Sequence, residues 1–177
     1  MRSLRAAERY KGDLSRFVRA YEYQPELTTI VDRHAAAPWT QERVNEIVLW
    51  KVNRYVRLSS YVLRSLNAVR RLHPREHRQA APLLATLLRT HGIDLAMAST
   101  LLRFRNPEVF QIIDRRAYRA VFGKPYRLYF ATPDATKQKT FFEYIDRLHE
   151  LAESRNLPFR DMDRILYVFD KRMNGPL

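Results

Sequence analysis

The chain has 177 residues and 21.1 kDa, 46% of them hydrophobic and 29% charged, which suffices for one domain with a real core and argues against intrinsic disorder. It contains no cysteine, so disulfides, zinc–thiolate sites, iron–sulfur clusters and thiol catalysis are excluded together. The net charge of +13 is concentrated: from Arg43 to Arg127 stand 17 Lys and Arg against five Asp and Glu, and 26 of the 32 basic residues are arginine. A coding bias toward arginine does not explain the local shortage of acids, so a polyanion-binding surface is expected.

Glycine is scarce and the nine prolines mostly fall between periodic stretches, which predicts an all-α fold. One helical domain is expected over 1–177, with N-terminal helices in 1–36, a basic helical core in 40–123 and C-terminal helices in 133–173. Residues 3–36 read as one or two helices interrupted near Gly12, with Asp13 as N-cap and Leu14, Phe17, Val18 and Tyr21 on one face. Thr40 caps a helix predicted over 41–58, with Val44, Ile47, Val48, Val52 and Tyr55 inward and Trp50, Arg54 and Arg57 on another face. A third helix over 60–72 carries Val62, Leu66 and Val69 inward and ends at His73-Pro74.

Helices are predicted next over 78–90 and 94–105, joined by the turn THGID, with small Ala96, Ala98 and Ser99 admitting a close neighbour. After Asn106-Pro107, QIID leads into a helix over 115–122 that Gly123 and Pro125 end. KPYRLYFAT alternates aromatic and polar residues and could be extended. Thr132 and Pro133 form an N-cap and N1 pair for a long helix burying Phe141, Ile145, Leu148 and Ala152. Asp161 caps the last helix, with Met162, Ile165, Leu166 and Phe169 inward.

LLRTHGIDLAMASTLLRF has a helix-hairpin-helix plan, whose turn exposes backbone N–H groups at the start of the second helix and can hold a phosphate there. An ordinary helical corner has the same spacing. Asp114, at the head of the next helix, is by itself a preferred N-cap, yet the apolar run before it and the arginines after it could hold a carboxylate at the edge of a basic groove. His73 and His77 have helical i, i+4 spacing, but Pro74 intervenes and no third ligand follows, so no metal site is predicted. Phosphate-loop, dinucleotide-binding and hydrolase-elbow motifs do not occur. Trp50 reads either as a base-stacking residue beside Lys51 and Arg54 or as a half-buried core residue.

Taken together, Leu88 to Asp114 resembles the helix-hairpin-helix DNA glycosylase superfamily, the group of endonuclease III and the 8-oxoguanine glycosylases. The family pattern L-P-G-V-G-x-x-x-A, followed by an apolar stretch ending in Asp, corresponds here to LRTHGIDLA at 88–96 and QIID at 111–114. The resemblance implies a multi-helix DNA-glycosylase-like domain with its hairpin at about 83–105, and a catalytic role for Asp114 in supporting positive charge on the deoxyribose as a flipped base leaves. It implies phosphate contacts at Arg89, Thr90, His91, Gly92, Ile93 and Asp94, flanked by Arg115, Arg116 and Arg119. A monovalent cation at the hairpin is implied as well; no other cofactor is.

Thr90 stands where the family's first hairpin glycine is usual, and Arg89 where its proline is. Asp94 takes the place of the Schiff-base lysine of bifunctional members, so strand-nicking lyase chemistry is not expected by that route; Lys51 is a candidate substitute. The expectation is a monofunctional glycosylase-like protein acting on a damaged or modified base. The alternatives are a non-catalytic helix-hairpin-helix DNA-binding module in repair, defence or chromosome organisation, and a helical protein–protein adaptor. Double-stranded DNA is the expected partner of a monomer. The absence of a signal-like apolar start and of any run near ~20 apolar residues leads to the expectation of a soluble cytoplasmic protein, nucleoid-associated if bacterial.

Overall fold

The computed structural model describes residues 13, 23–33, 38–53 and 55–177. These fall in two compact units, residues 1–55 and 56–177, a boundary that cuts through the basic core expected over 40–123. All eight helices among the described residues are α-helices with three short 3-10 turns beside them, and none of these residues forms a strand. The architecture is all-α.

In the first unit, α1 (Pro25–Asp32) and α2 (Gln41–Lys51) pair. Thr40 caps α2 by accepting from Arg43 N. The helix stops at Lys51 rather than near 58, because Asn53 adopts a left-handed φ of 53° that breaks the hydrogen-bond ladder. Val44, Val48 and Val52 of the predicted apolar stripe are exposed. Of the helices expected over residues 3–36, residues 3–12, 14–22 and 34–36 lie outside the described residues, as does Arg54.

The second unit comprises α3 (Ser60–Ala68), α4 (Ala81–Leu88), α5 (Leu95–Arg105), α6 (Arg115–Phe122), α7 (Asp134–Ser154) and α8 (Met162–Met173). Ser59 caps α3 by accepting from Val62 N. The core joins Leu84 and Leu87 of α4, Leu95 and Leu102 of α5, Phe141, Ile145 and Leu148 of α7, and Met162 of α8, all fully buried. Pro133 is the N-cap of α7, one residue later than predicted, and Thr132 instead accepts from Tyr129 N.

Helix α8 departs from its predicted face. Met162 and Leu166 are buried as expected, but Phe169 is exposed, and the remaining inward positions are Asp163 and Asp170. Both carboxylates meet arginines: Arg103 Nε lies 3.0 Å from Asp163, and Arg116 and Arg119 converge on Asp170. A hydrophobic periodicity cannot place a buried acid whose burial depends on distant cations. Asp161 makes no side-chain cap; Asp163 accepts from Arg164 N at 2.8 Å.

Between α5 and α6 the chain is not helical yet runs through the core, with Val109, Phe110, Gln111 and Ile113 fully buried. Backbone groups there need partners. Tyr144 of α7 donates to Ile112 O at 2.8 Å, Ser99 Oγ of α5 accepts from Ile113 N at 3.2 Å, and Gln111 Oε1 accepts from Asp163 N at 3.1 Å. Asn106 begins the segment by donating to Val69 O and Leu72 O. Three helices thus fix the strut that carries Asp114.

Candidate active site and nucleic-acid interface

Asp114 leaves this strut in extended conformation and caps α6, its Oδ1 accepting from Ala117 N at 2.7 Å. The side chain is half-buried and makes no ion pair among the described residues, and its Oδ2 accepts no hydrogen bond there. It lines a cleft of about 380 Å³ with Ile112, Ala117, Asp163, Arg164, Tyr167 and Val168. Asp163, the other carboxylate in the wall, is buried and neutralised by Arg103, so the two acids are not equivalent. Nearby Tyr144 is pushed well above its ordinary range, chiefly by burial and further by the Asp114 and Asp163 carboxylates. It therefore remains a hydrogen-bond donor to the strut.

Helices α4 and α5 are joined by a turn over residues 89–94. Thr90 N donates to Leu87 O and Ile93 N to Thr90 O, while the Thr90 hydroxyl folds back onto Thr86 O. Gly92 supplies the left-handed step at φ 81°, so Thr90 needs no glycine-like backbone. Ile93 is buried and pins the turn to the core; His91 is exposed. Among the described residues the N–H groups of His91 and Gly92 find no acceptor. Their carbonyls are likewise without a donor there, so the turn has oxygens to offer the monovalent cation that the resemblance implies.

Asp94 caps α5, accepting from Leu95 N, and pairs with Lys137 Nζ at 2.8 Å. Lys137, only 4% exposed, also donates to Phe130 O at 3.0 Å. The negative charge of Asp94 beside the turn is thereby offset by a buried cation. Half-buried Tyr126 connects the two caps: burial first, then the Asp94 and Asp114 carboxylates, push its phenol up to about 12, with Arg115 opposing. The hairpin cap and the cap of α6 thus act on a single side chain.

The expected phosphate path divides. Arg89 and Arg115 are exposed, Arg89 Nε donating to Ala85 O. Arg116 and Arg119 do not stand free beside the turn as expected: both bind Asp170, and both donate to the Gly175 carbonyl as well. The spacing of α6 put them on one face but could not reveal an acid more than fifty residues away. Trp50 is half-buried within the first unit, its Nε1 donating to Thr28 and its carbonyl accepting from Tyr23 and Gln24. Lys51 is exposed at the end of α2. The lysine beside Asp94 is Lys137, missed because α7 was read only for its apolar stripe.

Among the described residues no three His, Asp or Glu side chains are arranged to hold a metal ion, and no helix is long and apolar enough to cross a membrane. His73 and His77 do not act as a pair; buried His77 lies instead against His149, with ring centroids 6.0 Å apart. No protein-family model, curated protein or solved structure matches the chain.

Proposed function

We propose that the chain is a DNA-glycosylase-like enzyme that binds duplex DNA and hydrolyses the N-glycosidic bond of a nucleotide flipped into the Asp114–Tyr167 cleft. The observation that carries the reading is Asp114 itself: a carboxylate held by its own helix cap, without an ion pair among the described residues, in the wall of a cleft it shares with Ile112, Ala117, Asp163, Arg164, Tyr167 and Val168. Asp114 would support positive charge developing on the sugar and orient water toward C1′ while the base departs with a proton. Tyr167 offers a ring face for the extruded base. The open amides of the 89–94 turn would take a backbone phosphate, with Arg89 and Arg115 exposed to flank it. The alternative, a DNA-binding module without chemistry, is favoured by the same cap bond, which gives Asp114 a structural purpose.

Asp114→Asn separates the two. Asparagine is an equally good N-cap, so the helix is preserved. With the enzyme reading, wild type releases base from at least one duplex in a broad panel of damaged and modified substrates, and the variant binds that duplex but releases none. If wild type binds duplex and releases nothing across the panel, the binding-module reading replaces it. If neither protein binds at low salt, both readings fail.

A further inference from the structure

Helix α3 packs against α4, and a groove of about 260 Å³ opens between them. Its buried lining is apolar, made by Val69, Ala80 and Leu83. Its outer lining is polar: Tyr61 and Ser65, one turn apart on α3, and Gln79, in the short turn that leads into α4. The Tyr61 ring is 64% exposed. Among the described residues the side chains of Tyr61, Ser65 and Gln79 make no hydrogen bond, so two hydroxyls and an amide stand open around an apolar interior. The groove shares no residue with the Asp114 cleft.

Charge along this stretch is almost of one sign. From Arg57 to Ile93 the sequence holds seven arginines and a single acid, Glu76, whose carboxylate accepts from His73 N. Arg75 and Arg78 are committed to Glu153 and Asp146. Arg64 and Arg71 are exposed and make no ion pair among the described residues. They follow Tyr61 along one flank of α3, two turns apart, about 10 Å along the axis. Arg105 of α5 reaches the stretch between them, its Nη2 donating to Asn67 O. We infer that the groove binds an unpaired nucleotide of a single-stranded nucleic acid, its base against Tyr61 and the apolar interior, its backbone phosphates on Arg64 and Arg71. A flat ring with polar edges matches an apolar slot rimmed by open hydroxyl and amide groups, and arginines spaced along a helix follow a strand rather than one phosphate. In a duplex the base faces are stacked and their edges paired. An acidic amphipathic helix would match the charge too, but it docks through apolar anchors over several turns, more than a groove of this size admits. Because the groove stands apart from Asp114, the inference does not depend on the glycosidic chemistry proposed above.

The test reads the anisotropy of a labelled oligothymidylate of about 12 nucleotides, and of a matched duplex, at low salt. Wild type should bind the single strand. Tyr61→Ala should weaken that binding about tenfold and change duplex affinity less than about twofold, and Tyr61→Phe, which keeps the ring, should restore it. Arg64→Ala together with Arg71→Ala should make the slope of log K against log salt shallower by about 1.4, the counterion release of two single-strand phosphates. All three side chains are exposed, so the melting temperatures should not change. Single-strand binding that Tyr61→Ala leaves intact would overturn the assignment, and so would a wild-type protein that binds duplex but no oligothymidylate; the duplex reading above survives either result. Tyr61-dependent binding by a protein that releases base from no duplex would support the groove and count against the glycosylase reading alone. Thymidine monophosphate bound as tightly as the oligonucleotide would overturn the strand in favour of a free nucleotide. Polyglutamate that competes as well as oligothymidylate would overturn it in favour of an acidic protein partner.

Discussion

The Tyr144 hydroxyl donates to the Ile112 carbonyl at 2.8 Å, joining the middle of α7 to the buried strut two residues before Asp114. Tyr144 is fully buried and Ile112 half-buried, so the hydroxyl has no solvent partner to take in exchange for this bond. Tyr144→Phe leaves the Ile112 carbonyl unsatisfied and should cost about 1–2 kcal/mol in urea unfolding. If the strut also sets the position of Asp114, base release falls in this variant while duplex affinity is unchanged.

Gly92 sits at φ 81°, and a Cβ there would meet Val56 Cγ2 at 3.4 Å, an ordinary contact. The penalty of Gly92→Ala is thus backbone strain rather than collision, about 1–2 kcal/mol in thermal or urea unfolding. A turn that relaxes to avoid the strain misaligns the His91 and Gly92 amides. DNA affinity should then fall, with the slope of log K against log salt becoming shallower by about one phosphate contact, ~0.9.

Asp170 is fully buried between Arg116 and Arg119, and hydrogen bonds from Arg119 first, then from Asn174 and Arg116, hold its carboxyl down at about 2. Because the folded value lies below the unfolded one, near ~3.9, this contribution is present above pH ~4 and is lost as pH falls from there toward ~2. Asp170→Ala should cost about 3 kcal/mol in urea unfolding at neutral pH, since it strands two cations, and should flatten the acid limb of the stability profile. With Arg116 and Arg119 released from their carboxylate, low-salt DNA affinity should rise.

His77 and His149 give a second acid sensitivity at higher pH. Burial pushes both imidazoles below the ordinary histidine range; Asp146 opposes this at His77, while Arg75 reinforces it at His149. His77 Nε2 is 3.0 Å from Asp146 Oδ1 but out of line for a hydrogen bond, so burial prevails. Arg75, Arg78, Asp146 and Glu153 are the charged groups around the pair, with Arg75 bound to Glu153 and Arg78 to Asp146. The unfolded chain takes up protons first, so stability is complete above pH ~6.5 and declines below it toward the folded values. The urea midpoint should drop between about pH 7.5 and 5.5, and less in the double variant His77→Phe, His149→Phe. His149 already stacks on Phe159 at 4.0 Å, a contact that a phenylalanine ring can keep.

Local signals in the chain determined most of the helices and several of their ends. Thr40 and Asp114 are caps, Gly123 takes the left-handed step that ends α6, and the Leu83–Leu88 and Phe141–Ala152 stripes face the core. Each depends on groups within about one turn of one another, so a linear reading reaches them. Only the tertiary structure decided which charges are spent. Arg116 and Arg119 belong to Asp170, Lys137 to Asp94, and His77 meets His149 rather than His73. It also decided that Asp170 is inside and Phe169 outside, and that Phe130 stands clear of the fold. Burying a charge is tolerable only when a partner of opposite sign arrives with it, and that partner is brought by packing between helices far apart in sequence.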